Sequence, residues 1–182
     1  PLKEKDIEML RAGDFVLLTG EIYTARDAAH KKLKELLESK TFALFPLEGS
    51  IIYYCGPTPA PPGRVIGSAG PTTSTRMDPY VPLLLSSGVK GFIGKGKRSN
   101  VVKEALIKYK GIYFIATGGA GALLSTRIKS SELVAFPELG PEAIYKLFVA
   151  EFPLIVGIDI YGNDFYDIGP EKAKKFLNEL ST

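Results

Sequence analysis

The densest run of reactive side chains is Ser68-Ala69-Gly70-Pro71-Thr72-Thr73-Ser74-Thr75-Arg76-Met77-Asp78. Gly70-Pro71 forces a turn, because proline fixes φ and removes a donor. The apolar run Arg64-Val65-Ile66-Gly67 before it reads as a strand, and Pro79 to Leu85 after it reads as the start of a helix. The four hydroxyl residues between them fall where the unpaired N–H groups of a helix start point outward, an end that favours an anion. Arg76 adds a planar fork suited to a carboxylate or phosphate. The residues spell an anion-binding turn with a guanidinium beside it.

Two other cations stand in suggestive places. Arg26 falls in the first turn of a predicted helix, where the dipole favours anions rather than cations. The mismatch points to a ligand or a partner carboxylate facing it; a solvated surface arginine is the alternative. Lys95 lies in Gly94-Lys95-Gly96-Lys97. Glycines around a lysine let backbone and ammonium approach an anion together. An exposed basic turn explains the same residues, and the spacing is not that of a Walker A loop.

Gly-Pro-Thr-Thr-x-x-Arg-Met-Asp over residues 70–78 resembles the signature of the iron–sulfur-dependent hydro-lyases, the class I fumarase and L-tartrate dehydratase family. More specifically it resembles their β subunit, the C-terminal domain of the single-chain forms. The same order of motifs continues through Thr24-Ala25-Arg26-Asp27-Ala28-Ala29-His30, Gly94-Lys95-Gly96, Ala116-Thr117-Gly118-Gly119-Ala120 and Gly162-Asn163-Asp164-Phe165-Tyr166. The resemblance implies reversible addition of water to a dicarboxylate, fumarate to L-malate or the corresponding tartrate reaction. It implies Arg26, Arg76 and Lys95 as substrate-binding residues and Thr72 as the base, with hydrogen bonding to substrate as the alternative role for Thr72. It implies a [4Fe–4S] cluster held by a partner α subunit and not by this chain, and a heterotetramer, or self-association when the chain is alone. The family usually has small residues where this chain has Ser74 and Thr75, which leaves fumarate versus tartrate open.

The composition sets bounds. The 182 residues suffice for one domain, 1–182, with a real core. A net charge of +3 without a block of like charges does not suggest nucleic acid. No apolar run reaches the ~18 residues of a membrane span, and no signal-peptide pattern opens the sequence, so a cytoplasmic protein without membrane attachment is expected. The one cysteine, Cys55, cannot form an intrachain disulfide, which fits a reducing compartment. It reads as a small buried hydrophobe at a strand end. His30, the only histidine, reads as a hydrogen-bonded or interfacial side chain.

The supporting elements follow from patterning. Leu2 to Arg11 reads as an extended lead-in, and Phe15 to Tyr23 as a strand. Thr24 is expected to cap a helix from 25 to 39. Phe42 to Pro46 and Ile51 to Cys55 read as short strands, and the proline-rich 56–63 as a loop. Gly91 to Ile93 is a strand. Asn100 to Lys110 is an amphipathic helix with Val101, Val102, Ala105, Leu106 and Tyr109 inward. Gly111 to Ala116 is a strand, and Thr117 to Ala122 a glycine-rich turn serving close packing or ligand contact. Strands are expected at 132–136, 143–150 and 154–160, the last two turning at Glu151-Phe152-Pro153. Pro170 is expected to open a terminal helix with Ala173, Phe176, Leu177 and Leu180 apolar. Strand–helix alternation gives an α/β class; the resemblance implies the swivelling β/β/α domain, with a mixed sheet and flanking helices. A stand-alone anion or nucleotide-binding module and a purely structural assembly partner are the competing readings.

Overall fold

A computed structural model describes residues 1–42 and 44–180; the side chains of residues 172 and 175–180 lie outside the described ones. The chain runs α1 (Glu4–Glu8), β1 (Phe15–Thr24), α2 (Asp27–Glu38), β2 (Ile51–Tyr53), a 3₁₀ segment (Ser74–Tyr80), α3 (Val81–Ser86), β3 (Gly91–Gly94), α4 (Asn100–Tyr109), β4 (Ile112–Ile115), α5 (Gly121–Thr126), β5 (Ile128–Ala135), a second 3₁₀ segment (Pro137–Glu142), β6 (Ile144–Ile158) and α6 (Phe165–Leu180). β1 to β4 pair in parallel, in sequence order. β6 runs antiparallel to β4, β5 and β1, and its pairing with β1 closes β1, β2, β3, β4 and β6 into a ring. This is a mixed sheet with flanking helices.

Closure explains why β2, β3 and β4 are aliphatic, aromatic or glycine at every position. Ile51 and Tyr53 face the ring interior with Ile22, Ile93, Ile112 and Phe114. Ile52 and Tyr54 face outward, under the helices, with Phe92, Tyr113, Ala29, Leu33, Leu84 and Leu106. Successive side chains point to opposite faces, and both faces are buried.

Several sequence expectations are corrected. The lead-in contains α1. Burial of Ile7 in the interior core contributes about 2 kcal/mol, which holds a five-residue helix that would be marginal alone. Thr24 does not cap α2. It ends β1, donating through Oγ1 to Ala143 O and accepting from Tyr145 N, while Arg26 occupies the cap position in extended backbone. Of Phe42 to Pro46, the described residues are irregular. Residues 64–67 are not a strand: Thr58 bonds backbone to backbone with both Gly67 and Ser68, so the loop closes on itself and Val65 stays half exposed. β5 starts at Ile128 rather than at 132. Val101 points to solvent, whereas Val102, Ala105 and Leu106 are buried.

The two strands expected around Glu151 are one strand. The register on β1 shifts between Leu18 and Gly20, opposite Glu151, whose φ is +51°. This bulge lies where one edge of β6 changes partner from β5 to β4. The last helix opens at Phe165, not Pro170. Asp164 caps it, accepting from Tyr166 N at 2.9 Å, and Pro170 lies inside. Ala173 is exposed; Phe176, Leu177 and Leu180 lie outside the residues whose side chains are described.

Candidate functional site

The carboxyl ends of β1 to β4 deliver four loops to one face, and the 69–76 segment crosses them. Thr72 N donates to Tyr54 O just past β2, at 2.7 Å, and Ser74 N donates to Lys95 O just past β3, at 3.0 Å. Ala69 N donates to Gly121 O past β4 at 3.1 Å, and Tyr53 Oη donates to Ala69 O at 2.5 Å. The segment is thus stitched across the strand ends. It also corrects the expectation of a helix start with free amides. The Thr72 and Ser74 amides are spent on strand ends, and the 3₁₀ segment with Pro79 inside replaces the first helical turn.

Arg76 Nη2 donates to Thr72 Oγ1 at 2.6 Å. Its Nε lies 3.3 Å from Asp27 Oδ1, and Arg26 Nη2 lies 3.7 Å from the other oxygen of the same carboxylate. Arg26 Nη2 also lies 3.6 Å from Glu142 Oε1. Thr72, Arg76 and Arg26 therefore form one chain of contacts, with Asp27 between the two guanidiniums. The Arg26 mismatch resolves the same way. The arginine sits before the helix, Asp27 supplies the negative charge of the first turn, and Glu142 Oε2 accepts from Ala28 N at 3.0 Å. Gly56 makes room: a Cβ there would lie 3.0 Å from Arg26 Cδ and Nη1.

Lys95 joins through its backbone, forming an isolated parallel bridge with Thr73. Its stem passes Gly118, where a Cβ would lie 3.4 Å from Lys95 Cδ. Gly121 has a packing role, since a Cβ there would come within 2.8 Å of Gly70 N. The glycine-rich turn thus divides between clearance for the lysine and loop–loop contact. Thr75 is exposed, and Ser74 is buried with Oγ 3.0 Å from Tyr113 Oη. An apolar groove of about 300 Å³ between Pro57 and Tyr145 lies to one side and has no charged lining.

Beneath the site lies a buried ion pair that sequence reasoning missed. Arg98 Nε donates to Asp78 Oδ1 at 2.7 Å, and Asp78 Oδ2 accepts from Ser99 N. Arg98 also donates to Tyr54 Oη and lies over the Tyr54 and Tyr113 rings. Burial pushes the Tyr54 phenol up to about 12. Arg98 follows a basic turn, and nothing in its neighbours marks it as interior. Glu142 is equally silent, lying 114 residues from the amide it accepts from.

His30 is buried between Tyr54 and Tyr80, with ring centroids 5.4 and 5.5 Å away. Its Nδ1 lies 2.9 Å from Arg26 O, so Nδ1 carries the proton and donates. Burial pushes its pKa down to about 4. Burial raises the Cys55 thiol to about 12, so it is not a thiolate at neutral pH. Among the described residues, no group of three His, Cys, Asp or Glu side chains is placed to hold a metal ion. Cys55 is the one cysteine of the sequence, fewer than the several thiolates an iron–sulfur cluster needs. Among the described residues, no helix is long and apolar enough to cross a membrane.

Arg26, Thr72, Arg76 and Lys95 all lie in segments that follow the carboxyl ends of parallel strands, in an α/β domain. The chain belongs to the family described as Fumarase C-terminus, which matches residues 1–169. It is 46% identical over 151 residues to the anaerobic class I fumarate hydratase of Escherichia coli, covering 82% of this chain and 28% of that protein. It is 40% identical over 185 residues to a putative L(+)-tartrate dehydratase subunit beta of Methanocaldococcus jannaschii, covering 98% of this chain and 95% of that one. The L(+)-tartrate dehydratase subunit beta of Escherichia coli is 37% identical over 169 residues, with 90% and 83% covered. The chain thus spans little more than a quarter of the fumarate hydratase and nearly the whole of the archaeal subunit.

Proposed function

We propose that residues 1–182 form a single domain that serves as the β subunit of an iron–sulfur-dependent hydro-lyase, reversibly hydrating fumarate to L-malate in the cytoplasm. The observation that carries this reading is the 2.6 Å hydrogen bond from Arg76 to Thr72. Dehydration requires a weakly acidic proton next to a carboxylate to be removed. A threonine hydroxyl is a poor base unless cations favour its alkoxide. Here the hydroxyl oxygen already accepts from a guanidinium, so charge developing on Oγ1 is met by a fixed donor.

In this reading Arg76 and Arg26 orient the substrate carboxylates, the planar forks fixing the C–H bond toward Thr72 Oγ1. Lys95 supplies a third cation. With Thr72 as the alkoxide, its own proton already given up to solvent, the proton from carbon passes to Oγ1 and restores the neutral hydroxyl. Departure of the hydroxyl is assigned to no residue of this chain. The [4Fe–4S] cluster belongs to an α subunit, and the assembly is a heterotetramer in which each active site needs both chains.

The near full-length match to tartrate dehydratase β subunits favours a second reading, tartrate as substrate on the same site. An anoxic assay of this chain, alone and with a cluster-bearing partner, on fumarate and then tartrate, tests both. Activity only in the mixture, lost in air, supports the subunit reading and names the acid. Activity with neither, in a stable complex with an intact cluster, rejects it.

A further inference from the structure

Gly162-Asn163-Asp164-Phe165-Tyr166 has no part in the chemistry above, yet its last residue reaches the site. Tyr166 Oη accepts from Gly96 N at 2.9 Å. That amide belongs to the peptide unit whose oxygen, Lys95 O, accepts from Ser74 N at 3.0 Å. The next peptide oxygen, Gly96 O, accepts from Tyr113 Oη at 3.0 Å. Two successive peptide groups after Lys95 are thus held by three side-chain or backbone partners from three different elements.

Gly96 itself brings no side chain to pack. Gly96 has φ +90°, and nothing lies within 4 Å of the position a Cβ would take. Hydrogen bonds from three elements hold the turn that follows Lys95. Tyr166 is itself anchored. Its amide donates to Asp164 Oδ1, Asp164 lies 2.7 Å from Lys103 Nζ, and Asp167 receives both Lys97 and Lys103. The first turn of α6 is therefore fastened to α4 and to the 94–97 loop before the phenol meets Gly96.

We propose that Tyr166 is a positioning residue for Lys95. Its phenol oxygen fixes the Lys95–Gly96 peptide and thereby sets where the ammonium meets a substrate carboxylate. The inference rests on the substrate-binding role proposed for Lys95. Tyr166→Phe removes only the oxygen and keeps the ring.

Two measurements test it. In the isolated chain, hydrogen exchange at the Gly96 amide should accelerate on Tyr166→Phe, by about tenfold for the loss of one hydrogen bond. In the assembled complex, Tyr166→Phe should raise KM for the dicarboxylate about five- to tenfold with kcat within about twofold. The KM effect should vanish in a Lys95→Ala background, because the tyrosine then has nothing to aim. An unchanged KM, or a KM effect that persists undiminished without Lys95, overturns the proposal, whatever happens to the melting temperature. If the wild-type complex turns over no dicarboxylate, the hydro-lyase reading fails, and unchanged exchange at Gly96 would independently remove the anchor.

Discussion

Thr72 Oγ1 lies 2.6 Å from Arg76 Nη2, a tie that links a hydroxyl to a fixed charge. Thr72→Ala should lower kcat by roughly 10²–10⁴-fold, the range for loss of a positioned base, with the complex still assembled. Thr72→Ser should retain part of the rate. Arg76→Lys should fall well short of wild type, because an ammonium lacks the fork. Steady-state kinetics of the assembled enzyme check this; near-normal turnover in Thr72→Ala would sink the assignment.

Asp27 and Glu142 share Arg26 between them, but they do different work. Glu142 also caps α2 through Ala28 N, so Glu142→Ala should destabilise the chain by about 1 kcal/mol and raise KM together. Asp27 also bridges to Arg76, so Asp27→Asn should raise KM with little loss of stability. Denaturant midpoints beside KM values separate the two; equal effects of both variants on both quantities would contradict the division.

His30 makes the fold acid-sensitive in a defined window. Its folded pKa is about 4 against an ordinary value of 6.5. Between these values the unfolded chain binds a proton that the folded chain does not. Stability from this group is therefore complete above pH 6.5, falls as pH drops, and is lost below about 4, a change of about 3 kcal/mol. Urea midpoints at pH 7 and 4.5 measure it. His30→Leu should flatten the slope; a slope unaltered by the substitution would place the acid sensitivity elsewhere.

Asp78→Ala should be far more damaging than any surface change. It leaves the Arg98 guanidinium, buried with 0% side-chain exposure, without its carboxylate. Breaking a buried pair from one side costs about 3–5 kcal/mol. Thermal or urea unfolding should show the loss, and a second substitution, Arg98→Met, should recover part of it. A loss below about 1 kcal/mol would mean that water or the Tyr54 hydroxyl satisfies the arginine unaided.

Much of this was legible along the chain. The parallel strands β2, β3 and β4 announce themselves as aliphatic and aromatic runs, because burial on both faces leaves no room for polar side chains, and β1 shows itself by its β-branched and aromatic content. Arg26, Thr72, Arg76 and Lys95 stand out because glycine, proline and hydroxyl residues surround them in motif order. Where the reading failed, a long-range partner decided. α1 forms because Ile7 finds the ring interior. Residues 64–67 have strand-like composition but no neighbouring strand to pair with. β6 passes through Glu151 because β5 hands its edge to β4 at that point.

The sequence by itself determined the class of fold, the family motifs and the set of cations, since periodicity and local turn chemistry are written in neighbouring residues. Only the tertiary structure decided which amides remain free, that Asp27 lies between two arginines, that Glu142 reaches α2, that Arg98 is interior, and that Tyr166 holds the turn after Lys95. Each of these depends on groups brought together by ring closure from distant positions. Hydrogen bonds and ion pairs of that kind leave no local pattern, because their geometry exists only once the strands have paired.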